Sequence, residues 1–298
     1  MKYAVGIDVG GTNTRVALVD ENMNLVKRIQ FSTDVNDPQV TIKEICKTIN
    51  ELGEDVVGIG MSCPGPLDLI NGKILETTNL NKPWHMYPIV EELKKACGLN
   101  VYLENDANLA ALAEAVVGEG KDYNYVQFLT VSTGLGSGQV INKKIYIGSH
   151  GFAHEVANSC VWRNGPSHGS IYPGGIEAVS SGTAIVSRAK AAGLDVVHAG
   201  NVNDLALAGN EVAKEIMDDA KEYLANFIGI IIALTDPEII VLGGSVALKI
   251  DGFVEDVEAR VKEKVFDVVK PYVKVRKSTL SEDSGLLGAA YLAFSKTE

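Results

Sequence analysis

The chain has 298 residues, 46% of them hydrophobic, 22% charged and 6% aromatic, a globular balance that excludes collagen-like, coiled-coil and disordered classes. Its 38 acidic against 27 basic side chains give a net charge of −11, which disfavours a surface built to hold nucleic-acid phosphates. The longest apolar run, Phe227 to Leu234, falls far short of the roughly 18 residues of a membrane span, so neither nucleic acid nor membrane is expected as a partner.

Met1-Lys2 leads directly into the first strand signal, with no basic segment and no cleavage site, so no signal peptide is expected. Tyr3 to Asp8, Arg15 to Val19 and Leu25 to Phe31 read as successive strands, parted by Gly10-Gly11-Thr12-Asn13 and Asp20-Glu21-Asn22. Ile42, Ile45, Cys46, Ile49 and Leu52 then recur at helical spacing until Gly53 closes the run. Val56 to Ser62 is a short buried strand ended by Pro64-Gly65-Pro66. Val101 to Leu103 is another, followed by a helix carrying Leu109, Leu112, Ala113 and Val116. A long helix from about Glu211 to Leu234 puts Val212, Ile216, Ala220, Leu224, Phe227 and Ile231 on one side. Asp236-Pro237 stops it, and the buried strand Ile239 to Leu242 runs into Gly243-Gly244. Strand and helix signals alternate without a low-complexity linker, which places the chain in the α/β class. Cys46, Cys63, Cys97 and Cys160 are scattered with no C-x-x-C pair, so free thiols in a reducing cytoplasm are expected.

One internal repeat organises the rest. Tyr3 to Thr12 and Tyr125 to Gly134 are both a strand followed by a Gly, Thr and Ser-rich turn and a second strand, at an offset of 122 residues. In the first copy, Asp8-x-Gly10-Gly11-Thr12 combines glycines, which let backbone N–H groups converge on an anion, with a strand-end carboxylate suited to holding Mg²⁺. In the second, Thr130-Val131-Ser132-Thr133-Gly134-Leu135-Gly136-Ser137-Gly138 packs three glycines and four hydroxyls into nine residues, too many for a plain hairpin. It matches neither the P-loop nor the dinucleotide fingerprint, and a second phosphate clamp fits it better. Glu104-Asn105-Asp106 lies between a strand and a helix, where Asp106 suits either a helix cap or a general base for a hydroxyl proton. Glu155 and Glu177, in Gly-rich sequence, are either surface charges or carboxylates for the vicinal hydroxyls of a sugar. Gly243-Gly244-Ser245 is a helix-start turn or a flat floor for an adenine ring.

The ordered set Asp-x-Gly-Gly-Thr, Pro-Gly, Glu-Asn-Asp, Thr-Gly-x-Gly-x-Gly, Glu, Glu and Gly-Gly resembles the ROK family (repressors, open reading frames, kinases) of the hexokinase and actin-like ATPase superfamily. The resemblance covers Ala4 to about Ala293. It implies two actin-like, ribonuclease H-like α/β domains flanking a cleft, one of residues 1–107 plus about 285–298 and one of residues 108–284. It implies a homodimer, and an ATP- and Mg²⁺-dependent kinase that phosphorylates the carbon-six hydroxyl of a free hexose or N-acylhexosamine. Glucose and N-acetylmannosamine lead as substrates over fructose, N-acetylglucosamine and β-glucosides. A ROK repressor would need a helix-turn-helix before the first loop, and Asp8 follows Met1 too closely for one, so a kinase is expected.

Carried over residue by residue, the resemblance implies Asp106 as catalytic base and Asp8, Gly10, Gly11, Thr12 and Asn13 at the first phosphate loop, with Asp8 positioning Mg²⁺ through water. It implies Thr133, Gly134 and Gly136 at the second loop and Gly243 and Gly244 at the nucleoside. Gly65, Thr78, Asn79, Asn105, Asp106, Glu155 and Glu177 match sugar-contacting positions, and Trp84 matches a packing position. The family's zinc motif is altered here: Asn158 replaces its histidine, and His168, Ser170 and Gly175 stand where three cysteines belong. No zinc is expected from that set, and Asn158 becomes a candidate hydrogen-bond donor to the sugar.

Overall fold

The computed structural model describes residues 1–63, 65–77, 80–280 and 283–297. The chain runs through strands β1 (Tyr3–Val9), β2 (Asn13–Asp20) and β3 (Leu25–Ser32), helix α1 (Pro38–Leu52), strands β4 (Val56–Cys63), β5 (Leu67–Asp68) and β6 (Lys73–Ile74), and helix α2 (Ile89–Cys97). Strand β7 (Val101–Asn105), helix α3 (Asp106–Val116), and strands β8 (Tyr125–Val131), β9 (Leu135–Ile141) and β10 (Lys144–Ile145) follow. Helices α4 (Ile176–Ser180), α5 (Gly182–Ala191), α6 (Ala199–Leu207) and α7 (Glu211–Thr235) precede strand β11 (Ile239–Gly243). Helices α8 (Gly244–Lys249) and α9 (Phe253–Lys264), strand β12 (Val275–Lys277) and helix α10 (Ser284–Ser295) complete the order.

The chain divides into two units, one of Met1–Val117, Ile147–Gly151 and Leu280–Glu298, the other of Gly118–Tyr146 and Phe152–Thr279. The first unit's sheet has the order β3-β2-β1-β4-β7 and the second's β10-β9-β8-β11-β12. In each, a meander of three antiparallel strands is continued by two parallel ones. The sequence repeat is therefore a repeat of topology, with β1–β2 and β8–β9 as its equivalent hairpins.

Local chemistry sets the elements of the first unit. Asp37 caps α1 by accepting the Gln39 N–H, Pro38 supplies a fixed φ at the first helical position, and Gly53 ends the helix at φ +75°. Ile42, Ile45, Ile49 and Leu52 are buried, as their spacing predicts. Trp84 is fully buried and its indole N–H donates to the Asp34 carbonyl at 3.0 Å, a packing role. Helix α10 lies against β1 and β4 where those strands carry glycine. A Cβ on Gly6 would fall 2.1 Å from the Leu286 carbonyl oxygen, and one on Gly60 would fall 1.7 Å from that of Ala289. On the helix itself, a Cβ on Gly288 would fall 1.9 Å from the Leu109 carbonyl oxygen of α3. This packing of α10 on α3 draws α3 into the first unit, which extends to Val117, beyond the expected boundary at residue 107.

In the second unit, Ile216, Ala220, Leu224, Phe227 and Ile231 of α7 face the core as expected, while Val212, in its first turn, is 42% exposed and Ala213 is buried instead. Among the described residues no helix is long and apolar enough to cross a membrane.

The cysteines depart from expectation. Cys46 of α1 and Cys97 at the end of α2 form a disulfide, with Cα atoms 5.5 Å apart, because the two helices pack side by side. Their separation of 51 residues gave no pairing signal. Cys63 (buried) and Cys160 (exposed) are free. Closing a loop of 51 residues removes unfolded-chain entropy worth up to about 4 kcal/mol. Cys46→Ser or Cys97→Ser should therefore lower the guanidinium midpoint, and dithiothreitol should lower that of the unsubstituted protein but not of the variants.

Candidate active site

Three parallel strands of the first unit end together. Register pairs Asp8 of β1 with Ser62 of β4, and Ser62 with Glu104 of β7. Asp106 follows as the first residue of α3. In open α/β sheets this carboxyl edge is where ligands bind. The cap of α3 is Asn105, whose Oδ1 accepts the Ala107 N–H at 2.9 Å, so Asp106 itself is not the helix cap. Asp106 Oδ1 also accepts the Ala107 N–H, at 2.8 Å. Solvent reaches the Asp106 side chain, yet protein surrounds it closely enough that desolvation lifts its carboxyl above the ordinary carboxylate range, against the pull of the Ala107 amide.

Asp8 is also lifted. Burial is the main cause, the Asp106 charge adds to it, and the Arg15 guanidinium, 3.9 Å away, opposes it. Two carboxylates that each suffer from ionisation thus share this strand edge, an arrangement concentrated at functional sites. Complete burial, helped by the same two charges, pushes the Cys63 thiol up. Beside them, Gly10 donates its N–H to the Asn13 carbonyl at 2.9 Å and shapes a tight turn through Gly11 and Thr12. Thr14, two residues beyond Thr12, is buried with its hydroxyl 2.8 Å from that of Thr33, a packing role. Gly65 stands by Asn105: a Cβ there would lie 3.7 Å from the Asn105 amide nitrogen. Thr78 and Asn79 lie outside the described residues.

The second unit carries the equivalent turn, Ser132-Thr133-Gly134. Only those residues form it, because β9 starts at Leu135 and pairs with β8. Gly136 sits opposite Thr130, and Ser137 is buried with its hydroxyl 2.8 Å from the Gln127 amide. Glu177, at the start of α4, accepts the Leu135 N–H on Oε2 at 2.8 Å, and a Cβ on Gly134 would lie 2.7 Å from that oxygen. Gly182 and Thr183, opening α5, donate their N–H groups to the Ser132 and Thr133 carbonyls at 2.7 and 3.4 Å. Gly243 packs on Phe128, and Gly244, at φ +85°, packs its α-carbon against the end of β8, where a Cβ would lie 2.5 Å from the Val131 carbonyl oxygen. Both glycines therefore serve close packing, and it is the next residue, Ser245, that meets Ser132, hydroxyl to hydroxyl at 3.2 Å.

Beside this turn lies a cavity of about 640 Å³, lined by Ser132, Thr133, Thr183, His198, Ser245 and Lys249 among others. Its size suits a nucleoside or sugar-sized ligand. His198 is the N-cap of α6. Its Nδ1 accepts the Asn201 N–H at 3.2 Å, so the neutral ring carries its proton on Nε2. Elsewhere in this unit, Glu155 is exposed, and the Asn158 Oδ1 accepts the Tyr172 N–H at 2.8 Å. Among the described residues, no group of three or more His, Cys, Asp or Glu side chains is placed to share a metal ion.

The model of the ROK family matches residues 4–296. The chain belongs to the ROK family. It is 33% identical to the glucokinase of Thermotoga maritima, with 96% of this chain and 95% of that one aligned. It is 30% identical to the N-acetylmannosamine kinase of Salmonella typhi, covering 97% of each. Among solved structures, a ROK hexokinase from Thermus thermophilus superposes with a TM-score of 0.90 at 30% identity, covering 99% of each chain. A ROK glucokinase from Streptomyces griseus, solved with glucose and AMPPNP, superposes at 0.79 with 26% identity, covering 98% of this chain and 99% of that one. ROK membership agrees with the repeated five-stranded sheets and their α/β architecture.

Within this ROK chain the structure groups the predicted residues by unit. Asp8, Gly10, Gly11, Thr12, Asn13, Gly65, Asn105 and Asp106 gather on the first unit's strand edge. Thr133, Gly134 and Glu177 gather at the second unit's turn, whereas Gly136 lies in a strand. His198, Lys249 and Thr183 line the cavity without any motif to announce them. Ser132 and Ser245 could have been found, since each lies within a motif already singled out, Thr130 to Gly138 and Gly243-Gly244-Ser245.

Because the folded protein holds the Asp106 proton more tightly than the unfolded chain does, ionising Asp106 costs stability. That cost sets in as pH rises from the ordinary carboxylate value of 3.8 through the raised folded value. Asp106→Asn should therefore melt above the unsubstituted protein at neutral pH, and the two melting curves should converge on acidification below the ordinary value. A variant that melts lower at neutral pH would contradict this electrostatic picture.

Proposed function

We propose that this protein is an ATP-dependent sugar kinase that transfers the γ-phosphoryl group to the carbon-six hydroxyl of glucose or N-acetylmannosamine. The observation that carries the reading is the placement of the Asp106 carboxyl, raised by desolvation, at the strand edge it shares with Asp8. Family membership and the names of the two relatives supply the substrate class.

Asp106 accepts the hydroxyl proton as the oxygen bonds to phosphorus and the β–γ bridging oxygen leaves with ADP. Asn105, its carbonyl oxygen committed to capping α3, offers its amide nitrogen to the sugar beside Gly65. Glu177, with Oε2 committed to Leu135, offers Oε1 to a hydroxyl. Glu155 and Asn158, with Thr78 and Asn79, complete the proposed sugar contacts. Gly11 and Thr12 in the first turn and Thr133 and Gly134 in the second present backbone N–H groups to phosphate, with Gly10 and Ser132 closing the turns through their own N–H groups, and the cavity beside Thr133 takes the nucleoside. Asp8 fits a role in holding Mg²⁺ through water, because a cation would offset the cost of its buried charge without displacing Arg15. Bound there, Mg²⁺ would draw charge from the phosphoryl oxygens. Positioning and electrostatics supply most of the rate in such transfers.

The test is ADP release with Mg·ATP and each of glucose, N-acetylmannosamine, N-acetylglucosamine, fructose and a β-glucoside. Turnover is expected on glucose or N-acetylmannosamine, with Asp106→Asn slower by about two to four orders of magnitude. A folded Asp106→Asn variant with undiminished turnover would remove the base assignment. Nucleotide binding with no turnover on any of the five sugars would overturn the proposed acceptor.

A further inference from the structure

Residues 158–175 of the second unit form an irregular loop that is anchored at one side and reaches a phosphate turn at the other. At the anchor, the Trp162 ring stacks on Tyr223 of α7, with centroids 4.6 Å apart and planes 7° from parallel. The Arg188 guanidinium lies 5.5 Å from the Trp162 centroid and is ion-paired to Asp219. The base of the loop is closed by the Gly174 N–H, which donates to the Pro166 carbonyl at 2.8 Å, and by the Asn158–Tyr172 bond. Gly174 is required there: a Cβ would lie 1.8 Å from the Trp162 carbonyl oxygen.

From this base His168 projects to α5. Its Nε2 is 2.9 Å from the Thr183 hydroxyl, and that hydroxyl is 2.6 Å from the Thr133 carbonyl oxygen. The direction of the chain follows from proton counting. A carbonyl only accepts, so Thr183 gives its single proton to Thr133, and Nε2 must then be the donor to Thr183. Neutral and protonated imidazole can both carry a proton on Nε2, so either form sustains the link. Hydrogen bonds joined in series in this way polarise and strengthen one another.

We propose that His168 is a positioning residue for nucleotide binding. Through Thr183 it fixes the Thr133 carbonyl, and with it the orientation of the Ser132-Thr133-Gly134 turn, whose Thr133 and Gly134 N–H groups meet phosphate. Without the His168 donor the Thr183 hydroxyl is free to rotate between Thr133 and water. The Thr133 carbonyl then keeps from α5 the weaker 3.4 Å bond of the Thr183 N–H, while the Gly182 N–H still holds the neighbouring Ser132 carbonyl at 2.7 Å. The kinetic part of the proposal rests on the reading of that turn as a phosphate site; the mechanical part does not.

The experiment compares the unsubstituted protein with His168→Ala, His168→Gln, Thr183→Val, Thr183→Ser and the double variant H168A/T183V. Two readouts are taken: amide hydrogen exchange in a peptide spanning residues 130–136, and steady-state kinetics with Mg·ATP and the sugar that turns over. His168→Ala should speed exchange in that peptide and raise the KM for ATP about fivefold, the loss expected for one ordinary hydrogen bond. The KM for sugar should stay unchanged. Gln carries an N–H at similar reach, and Ser keeps the hydroxyl, so both conservative variants should restore the original values. The double variant should match Thr183→Val alone. Unchanged exchange in His168→Ala, a failed rescue by Gln, or additive effects in the double variant would overturn the proposal. If the unsubstituted protein phosphorylates no sugar, the kinase reading falls, and the exchange data still decide whether His168 holds the turn.

Discussion

The register of β1, β4 and β7 is the constraint from which the first unit's chemistry follows. Parallel strands cannot slip by one residue without turning every side chain to the opposite face. With Asp8, Ser62 and Glu104 aligned, Asp106 is delivered to the same edge by the next turn of chain. Two carboxylates then share protein surroundings that make ionisation costly for both. Such a pair is a poor structural device, since burying like charge destabilises the fold. It is a good chemical one, because a carboxyl lifted above its ordinary range takes a proton more readily. Arg15 and the Ser62 hydroxyl offset part of the strain at Asp8, and at Asp106 backbone amides, that of Ala107 first, do so.

The second unit reuses the same hairpin for a different purpose. It has no carboxylate at the position equivalent to Asp8, which the repeat fills with Thr130. The turn is instead held from outside by Glu177 on Leu135, by the first residues of α5 on Ser132 and Thr133, and by Ser245 on Ser132. A duplicated scaffold has thus diverged. One copy concentrates charge at its strand ends, and the other presents backbone donors beside a cavity.

The parts of this architecture that depend on local pattern were legible in the sequence. The three opening strands, α1 with its terminator Gly53, and α7 with its stop at Asp236 all lie within a few residues of their expected bounds. So does the hairpin repeat, because β pairing and turn chemistry are written in short segments. Asp8 and Asp106 stood out in the sequence only through their motifs, since their electrostatics depend on what surrounds them. Three features were not legible. The Cys46–Cys97 bond depends on two helices meeting, which no spacing encodes. The place of Gly136 within strand β9 and the close backbone packing at Gly243 and Gly244 were hidden too, because a glycine kept for packing and one kept for a ligand look the same in sequence. His198 acts as a helix cap in place of the usual Ser, Thr or Asp, so nothing in its neighbourhood flagged it.

The seating of α10 bears on how the protein comes to exist in the cell. Gly6 and Gly60 leave β1 and β4 with a bare stripe of backbone, which Leu286 and Ala289 cover. Those two residues leave the ribosome only after every strand and helix of the second unit has been made. The second unit is split only by residues 147–151, so it holds all of its sheet before α10 emerges. During translation the order of completion therefore runs against the order of synthesis. The first-made sheet keeps one face incomplete until a helix of twelve residues arrives to close it.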